Sequence, residues 1–219
     1  MTPSDSTPLN PTRLPLWLKA GFTAFMAVLV PVYWSQYGPT NFLYFCDIAL
    51  FCTLGAVWLE SSLLASMAAV GIILPQLLWC LDFALQLCGI KLLGMTAYMF
   101  DPSKPLFLRV LSLFHGWLPF LLLFLVRRLG YQRRALTAWT LTAWSAMGIS
   151  YLFMPKPGAL LANPKAPVNI NYVHGLHDSM AQAWMPGRLW LALLFAGLPL
   201  LVFLPTHLVL KKRYKACTV

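Results

Sequence analysis

A thiol and a carboxyl, Cys46 and Asp47, stand side by side in the apolar run Asn41–Phe51. A thiolate is a nucleophile, and it needs a base to take its proton. The chain offers one in Phe114-His115-Gly116-Trp117, a second apolar run. Asp82 lies in a third such run, and Asn41 opens the first. The densest polar stretch is residues 169–178, with Asn171, Tyr172, His174, His177 and Asp178. A charged side chain at the centre of a membrane helix costs roughly 3 kcal/mol, so such groups face protein or water and mark function by default.

These groups are set in a chain that is 59% hydrophobic and 10% charged. Soluble domains carry about a quarter charged residues, which excludes that class. Six apolar runs, about 16–34, 40–59, 63–85, 106–126, 135–154 and 189–210, each approach the ~20 residues that cross ~30 Å of hydrocarbon. Backbone groups in lipid must be satisfied within each segment, so the spans are helices. The predicted fold is all-α, a polytopic membrane protein of six transmembrane helices with an outward-facing polar pocket. Residues 1–15 form a polar, proline-rich tail without the pattern of a cleaved signal, residues 16–210 the helical domain, and residues 211–219 a basic tail.

Lys and Arg concentrate at Arg127, Arg128, Arg133 and Arg134, and again at Lys211, Lys212, Arg213 and Lys215. The positive-inside rule then places both termini in the cytoplasm. The net charge of +10 is accounted for by basic clusters against anionic lipid headgroups, with no nucleic-acid partner. Glu60, in a short inner connection, reads as a solvated charge. Trp17, Trp34, Trp184 and Trp190 read as an interfacial belt. Two long connections, about 86–105 and 155–188, lie on the outer side. The first either extends the third helix or lies along the interface. The second, rich in proline, is expected to be irregular.

With the second helix starting near Thr40, Cys46 lies ~9 Å deep, and His115, nine residues into the fourth, lies ~14 Å deep. Asp82 ends its helix near the same face, and Asn41 caps the second helix. Polar groups from three helices therefore share the outer half, under the 169–178 segment. Other chemistries are less well served. No Cys-x-x-Cys pair exists for redox work, and Cys80 and Cys88 carry no diagnostic spacing. His174, His177 and Asp178 have the right types for zinc without a diagnostic pattern. His115 and His207 do not match in depth as haem ligands. Repeat symmetry of a transporter is absent. No cofactor is implied.

The order Leu43-Tyr44-Phe45-Cys46-Asp47-Ile48, then Phe114-His115-Gly116-Trp117, then Asn171-Tyr172 resembles a bacterial family of integral membrane proteins. That family is similar to the animal transmembrane acyltransferase of ether-lipid synthesis. More distantly, it resembles the androgen-induced membrane hydrolases. Tyr44 stands where the bacterial pattern has His, and Asp47 where it often has Asn. The resemblance implies acyl transfer or acyl-ester hydrolysis through a thioester on Cys46, with His115 as base, in a bacterial inner membrane. Asn171 or Tyr172 would serve the oxyanion, and Asn41, Asp47, Asp82 and His174 would line the substrate. The partner is a membrane lipid or acyl-lipid substrate. Two other expectations stand beside it: a lipid-binding or partner subunit of an envelope complex, and a small-solute permease.

Overall fold

The computed structural model describes residues 14–214, and every regular element in that range is helical. Arg13 and Lys215, with most of the two predicted tails, lie outside the described residues. The elements are α1 (Leu16–Tyr37), α2 (Phe45–Leu59), α3 (Ser62–Leu87), α4 (Leu106–Leu111), α5 (Phe114–Leu129), α6 (Ala135–Phe153), α7 (Gly187–Leu198) and α8 (Leu204–Arg213). A wide turn at Pro199–Phe203 joins α7 and α8 into one rod, as Ser112 and Leu113 join α4 and α5.

Among the described residues, four helical rods are long and apolar enough to cross a membrane, not six: Leu16–Tyr37, Ser62–Leu87, Leu106–Leu129 and Gly187–Arg213. The two shortfalls have local causes. Gly38, at φ 81°, ends α1, and Pro39–Leu43 forms a tight 3-10 turn, so α2 starts at Phe45 and keeps 15 residues. Sequence α6 is 19 residues long but intersperses Thr, Ser and Trp among its apolar positions.

The centre of the molecule is α3. Its buried run Ala65, Ser66, Ala68, Ala69, Val70, Gly71, Ile72 and Ile73 goes round the helix, the pattern of an element packed on all sides. Small residues let neighbours come close. At Gly71 the Trp139 ring of α6 lies where a side chain would stand, 1.9 Å from an added Cβ. Prolines free carbonyls that neighbouring helices then use. Pro119 has no N–H for the His115 carbonyl, and the Cys80 thiol donates to it at 3.7 Å. Pro199 likewise releases the Phe195 carbonyl, which accepts from Trp144 Nε1 at 2.8 Å.

Both ends of the bundle are tied. At the basic end, Lys19 pairs with Glu60 at 2.7 Å, and Glu60 also accepts from the Leu14 amide at 3.1 Å. Glu60 is therefore an ion-paired clasp between α1 and the α2–α3 turn, not a solvated charge. Nearby, Tyr131 meets His207 Nδ1 at 2.6 Å, and the Gln132 amide donates to Ser66 at 3.0 Å.

At the other end lie the two long loops. Residues 88–105 neither extend α3 nor form a half-helix. Gly89 and Gly94 take positive φ, and a three-residue turn at Ala97–Met99 is the regular element there. The 155–186 connection is irregular as expected, apart from the turn Ile170–Tyr172. Trp17, Trp34 and Trp184 are exposed as a belt requires, whereas Trp190 is buried and donates to the Tyr172 carbonyl at 2.8 Å.

Candidate functional site

The start of α2 is organised by a residue far away in sequence. Tyr44 is its N-cap and offers no side-chain bond. Asn171 supplies one instead, its Oδ1 accepting from the Phe45 amide at 3.2 Å while its Nδ2 donates to the Leu43 carbonyl at 2.9 Å. Asn41 therefore does not cap this helix. It is buried in the preceding turn and donates through Nδ2 to Asp47 Oδ2 at 2.8 Å.

Cys46 is thus the second residue of α2 rather than one lying several residues deep in it. It lies in the first turn of the helix, with the buried Asp47 carboxyl as its neighbour. The phenols of Tyr33, Tyr44, Tyr98 and Tyr172 lie within electrostatic reach of Cys46. Burial pushes the Tyr98 hydroxyl up to about 12. Burial, reinforced by Asp178, also raises that of Tyr172. Both are hydrogen-bond donors at neutral pH.

His115 is the second residue of α5. Its Nδ1 lies 2.8 Å from the Ser112 carbonyl, which can only accept, so Nδ1 carries the proton and Nε2 keeps its lone pair. The ring stacks on Trp79 at 5.2 Å and on Phe114 at 4.0 Å. Ser112 is the hub beside it. Its hydroxyl donates to the Leu108 carbonyl at 3.1 Å and meets Tyr33 Oη at 3.1 Å, and the Tyr98 hydroxyl lies against both Ser112 and Trp79. Tyr33 and Tyr98 therefore reach Ser112 on one side and the neighbourhood of Cys46 on the other. Among the described residues, no hydrogen bond joins Cys46 to His115 directly.

Asp47 Oδ1 and both amide atoms of Gln76 are buried without partners. A buried polar atom without a partner costs about 1–3 kcal/mol, so this end of the bundle is poorly compensated.

Asp82 has a different setting. Its Oδ1 accepts from the Leu93 and Gly94 amides at 2.7 and 3.1 Å. Its Oδ2 accepts from the amide and hydroxyl of Thr96 at 2.9 and 2.7 Å. The carboxylate folds the 88–105 loop back onto α3.

The 155–186 loop is built round Asn169. Its Nδ2 donates to the Gly175 and His177 carbonyls, and its Oδ1 accepts from the His174 amide. The His174 ring stacks on Tyr151 of α6 at 4.8 Å, with Nε2 buried and unpartnered. Burial, with Lys156 nearby, lowers the His174 pKa, and burial raises that of Asp178. Tyr172 holds φ at 58°, a left-handed conformation that costs a bulky residue roughly 1–2 kcal/mol. Among the described residues no three His, Cys, Asp or Glu side chains converge as a metal site, and Cys46, Cys52, Cys80 and Cys88 are free thiols.

The residues that tie the site together, Tyr33, Tyr98, Ser112 and Trp79, were not visible as site residues in the sequence, nor was the buried amide of Gln76. Tyrosine and tryptophan near helix ends look like an interfacial belt. The signal for Gln76 was an amide in an otherwise apolar run. Comparison of the chain with family models, with curated proteins and with solved structures finds no match.

Proposed function

We propose that this chain is a membrane acyltransferase or acyl-ester hydrolase in which Cys46 is the nucleophile and His115 its base. The observation that carries the reading is the Ser112 carbonyl on His115 Nδ1, which leaves Nε2 as a proton acceptor in the same phenol-lined cluster as Cys46. His115 Nε2 takes the thiol proton as the sulfur attacks an ester carbonyl. The tetrahedral oxyanion is met by a phenol, and Tyr172 is the donor favoured here because the Asn171 amide is engaged at the start of α2. The C–O bond breaks, the leaving alkoxide takes the proton from His115, and a thioester remains. Water or a second alcohol attacks it, and the thiol is restored. Substrate binding must draw Nε2 toward the sulfur, because catalytic hydrogen bonds are often formed only in the loaded site.

In this reading the protein crosses the membrane six times, with both termini in the cytoplasm of a bacterial inner membrane. Its basic end lies against anionic headgroups, and its substrate is an acyl lipid. It binds no nucleic acid. The missing Cys46–His115 bond favours a second reading, in which the chain is a lipid-binding or partner subunit and the cluster serves packing.

The test is turnover of an alkyne-tagged acyl-ester lipid by the purified protein in liposomes, with hydroxylamine-sensitive labelling of Cys46. Cys46→Ala and His115→Ala should each lower turnover by about 100-fold or more, the usual worth of a positioned acid–base group or nucleophile. Turnover equal to the starting protein in both variants would remove the pair from the chemistry. No turnover and no label in the starting protein would leave the subunit reading.

A further inference from the structure

We propose that the groove between α6 and α7 binds an anionic phospholipid, its phosphate on Arg188 and an acyl chain along Ala192 and Ala196. The groove has a volume of about 490 Å³ and is lined by Trp144, Arg188, Leu191, Ala192, Phe195 and Ala196. That lies within the roughly 300–1,000 Å³ of ordinary ligand pockets. The α7 residues recur at spacings of three and four, so they form one face of the helix. From Arg188 to Ala196 the face runs ~12 Å, enough for much of one acyl chain.

Two features make it a built groove rather than a gap. Ala192 and Ala196 hollow out the α7 side. Trp144 forms the opposite wall, fixed by its indole bond to the Phe195 carbonyl at 2.8 Å and by stacking on the Phe195 ring at 5.8 Å. That carbonyl is free for the indole because Pro199 cannot donate to it.

Charge decides the occupant. Arg188 is exposed at the start of α7, and among the described residues it makes no hydrogen bond or ion pair. It belongs to the rod Gly187–Arg213, which is long and apolar enough to span. A guanidinium at the mouth of an apolar groove on a lipid-facing rod matches a phosphate ester, which its planar donors engage in pairs. The groove is separate from Cys46 and His115, so the site does not depend on the reaction proposed above.

The experiment is native mass spectrometry and thermal unfolding of the detergent-purified protein with phosphatidylglycerol, diacylglycerol or inorganic phosphate. Phosphatidylglycerol should bind and raise the melting temperature. Diacylglycerol should bind about tenfold more weakly, because it lacks the phosphate that Arg188 engages. Free phosphate at millimolar concentration should produce no shift. Arg188→Gln should weaken phosphatidylglycerol about tenfold, to the level of diacylglycerol. Ala192→Trp should fill the groove and abolish binding of both lipids. Ala192 faces outward, and Ala196→Phe provides a second block if the first variant is unstable. Unchanged phosphatidylglycerol binding in folded Arg188→Gln and in a folded groove-filling variant would overturn the site. So would protection by free phosphate equal to that by the lipid.

Discussion

Asn171 joins a loop to a helix 126 residues away, with one bond accepted and one donated. Both bonds are largely shielded, since Asn171 is 7% exposed. Each should contribute about 1 kcal/mol, and an orphaned Phe45 amide would cost more. Asn also tolerates the φ of 57° better than other non-glycine residues. Asn171→Ala should therefore destabilise the protein by about 2–3 kcal/mol, from the lost bonds and the left-handed backbone together. Asn171→Gly should recover about 1 kcal/mol of that by relieving the backbone. Chemical or thermal unfolding in detergent checks both, and equal losses in the two variants would mean that backbone strain plays no part. Cys46 and His115 could be singled out from their types alone. The partner of α2 could not, because a hydropathy pattern carries no information about a contact across most of the chain. The turn Pro39–Leu43 was legible only in part, since Pro39, Thr40 and Asn41 mark a break while Phe42 and Leu43 read on into the apolar run of α2.

The 155–186 loop packs His174 against α6 in its neutral form, with the imidazole stacked on Tyr151 and Lys156 nearby. The unfolded loop binds a proton near pH 6.5, whereas the folded loop binds it at lower pH. Below about pH 6.5 the unfolded form therefore takes up more protons, and stability falls with pH. Asp178 acts with the opposite sign: its raised pKa makes the folded loop hold a proton more tightly than the unfolded one, and favours acid. Hydrogen exchange at Gln182, whose amide donates to the His174 carbonyl, reports on the same unit. After correction for intrinsic rates, protection should drop between pH 7.5 and 5.5. His174→Phe should remove most of the drop, and Asp178→Asn should steepen it. A flat profile in the unsubstituted protein would refute the argument. The sequence identified this loop by its polar density, and its prolines announced that it would be irregular. That it is held together by Asn169 was not readable, because three of the bonds run between side chain and backbone inside the loop.

The bundle's two ends decide how many times the chain crosses. Among the described residues four rods meet the length and composition of a span, while α2 and α6 fall short by different routes. A helix of 15 residues covers ~22 Å, and the five-residue 3-10 turn ahead of it adds up to ~10 Å. Together they reach the ~30 Å of a hydrocarbon core. The 19 residues of α6 cover ~28 Å. The ties at the ends argue the same way. Glu60, closing α2, is clasped to Lys19 near the start of α1, while Asn163 and Lys165 of the long loop bond to Gln36 at the far end of α1. The loop also holds the start of α2 through Asn171. Thus α2 runs antiparallel to α1 from one tied end to the other, as the proposed six-span topology requires. For α6, Gln132 is tied to Ser66 before its start, and Tyr151 meets His174 near its end. Single cysteines at Gln36, Ser61, Ser103, Arg128 and Lys165 in a cysteine-free background, labelled with a membrane-impermeant maleimide, read this directly. In the proposed orientation Gln36, Ser103 and Lys165 should react in intact cells, and Ser61 and Arg128 only after permeabilisation. If Gln36 and Ser61 reacted alike, α2 would not cross; if Arg128 and Lys165 did, α6 would not.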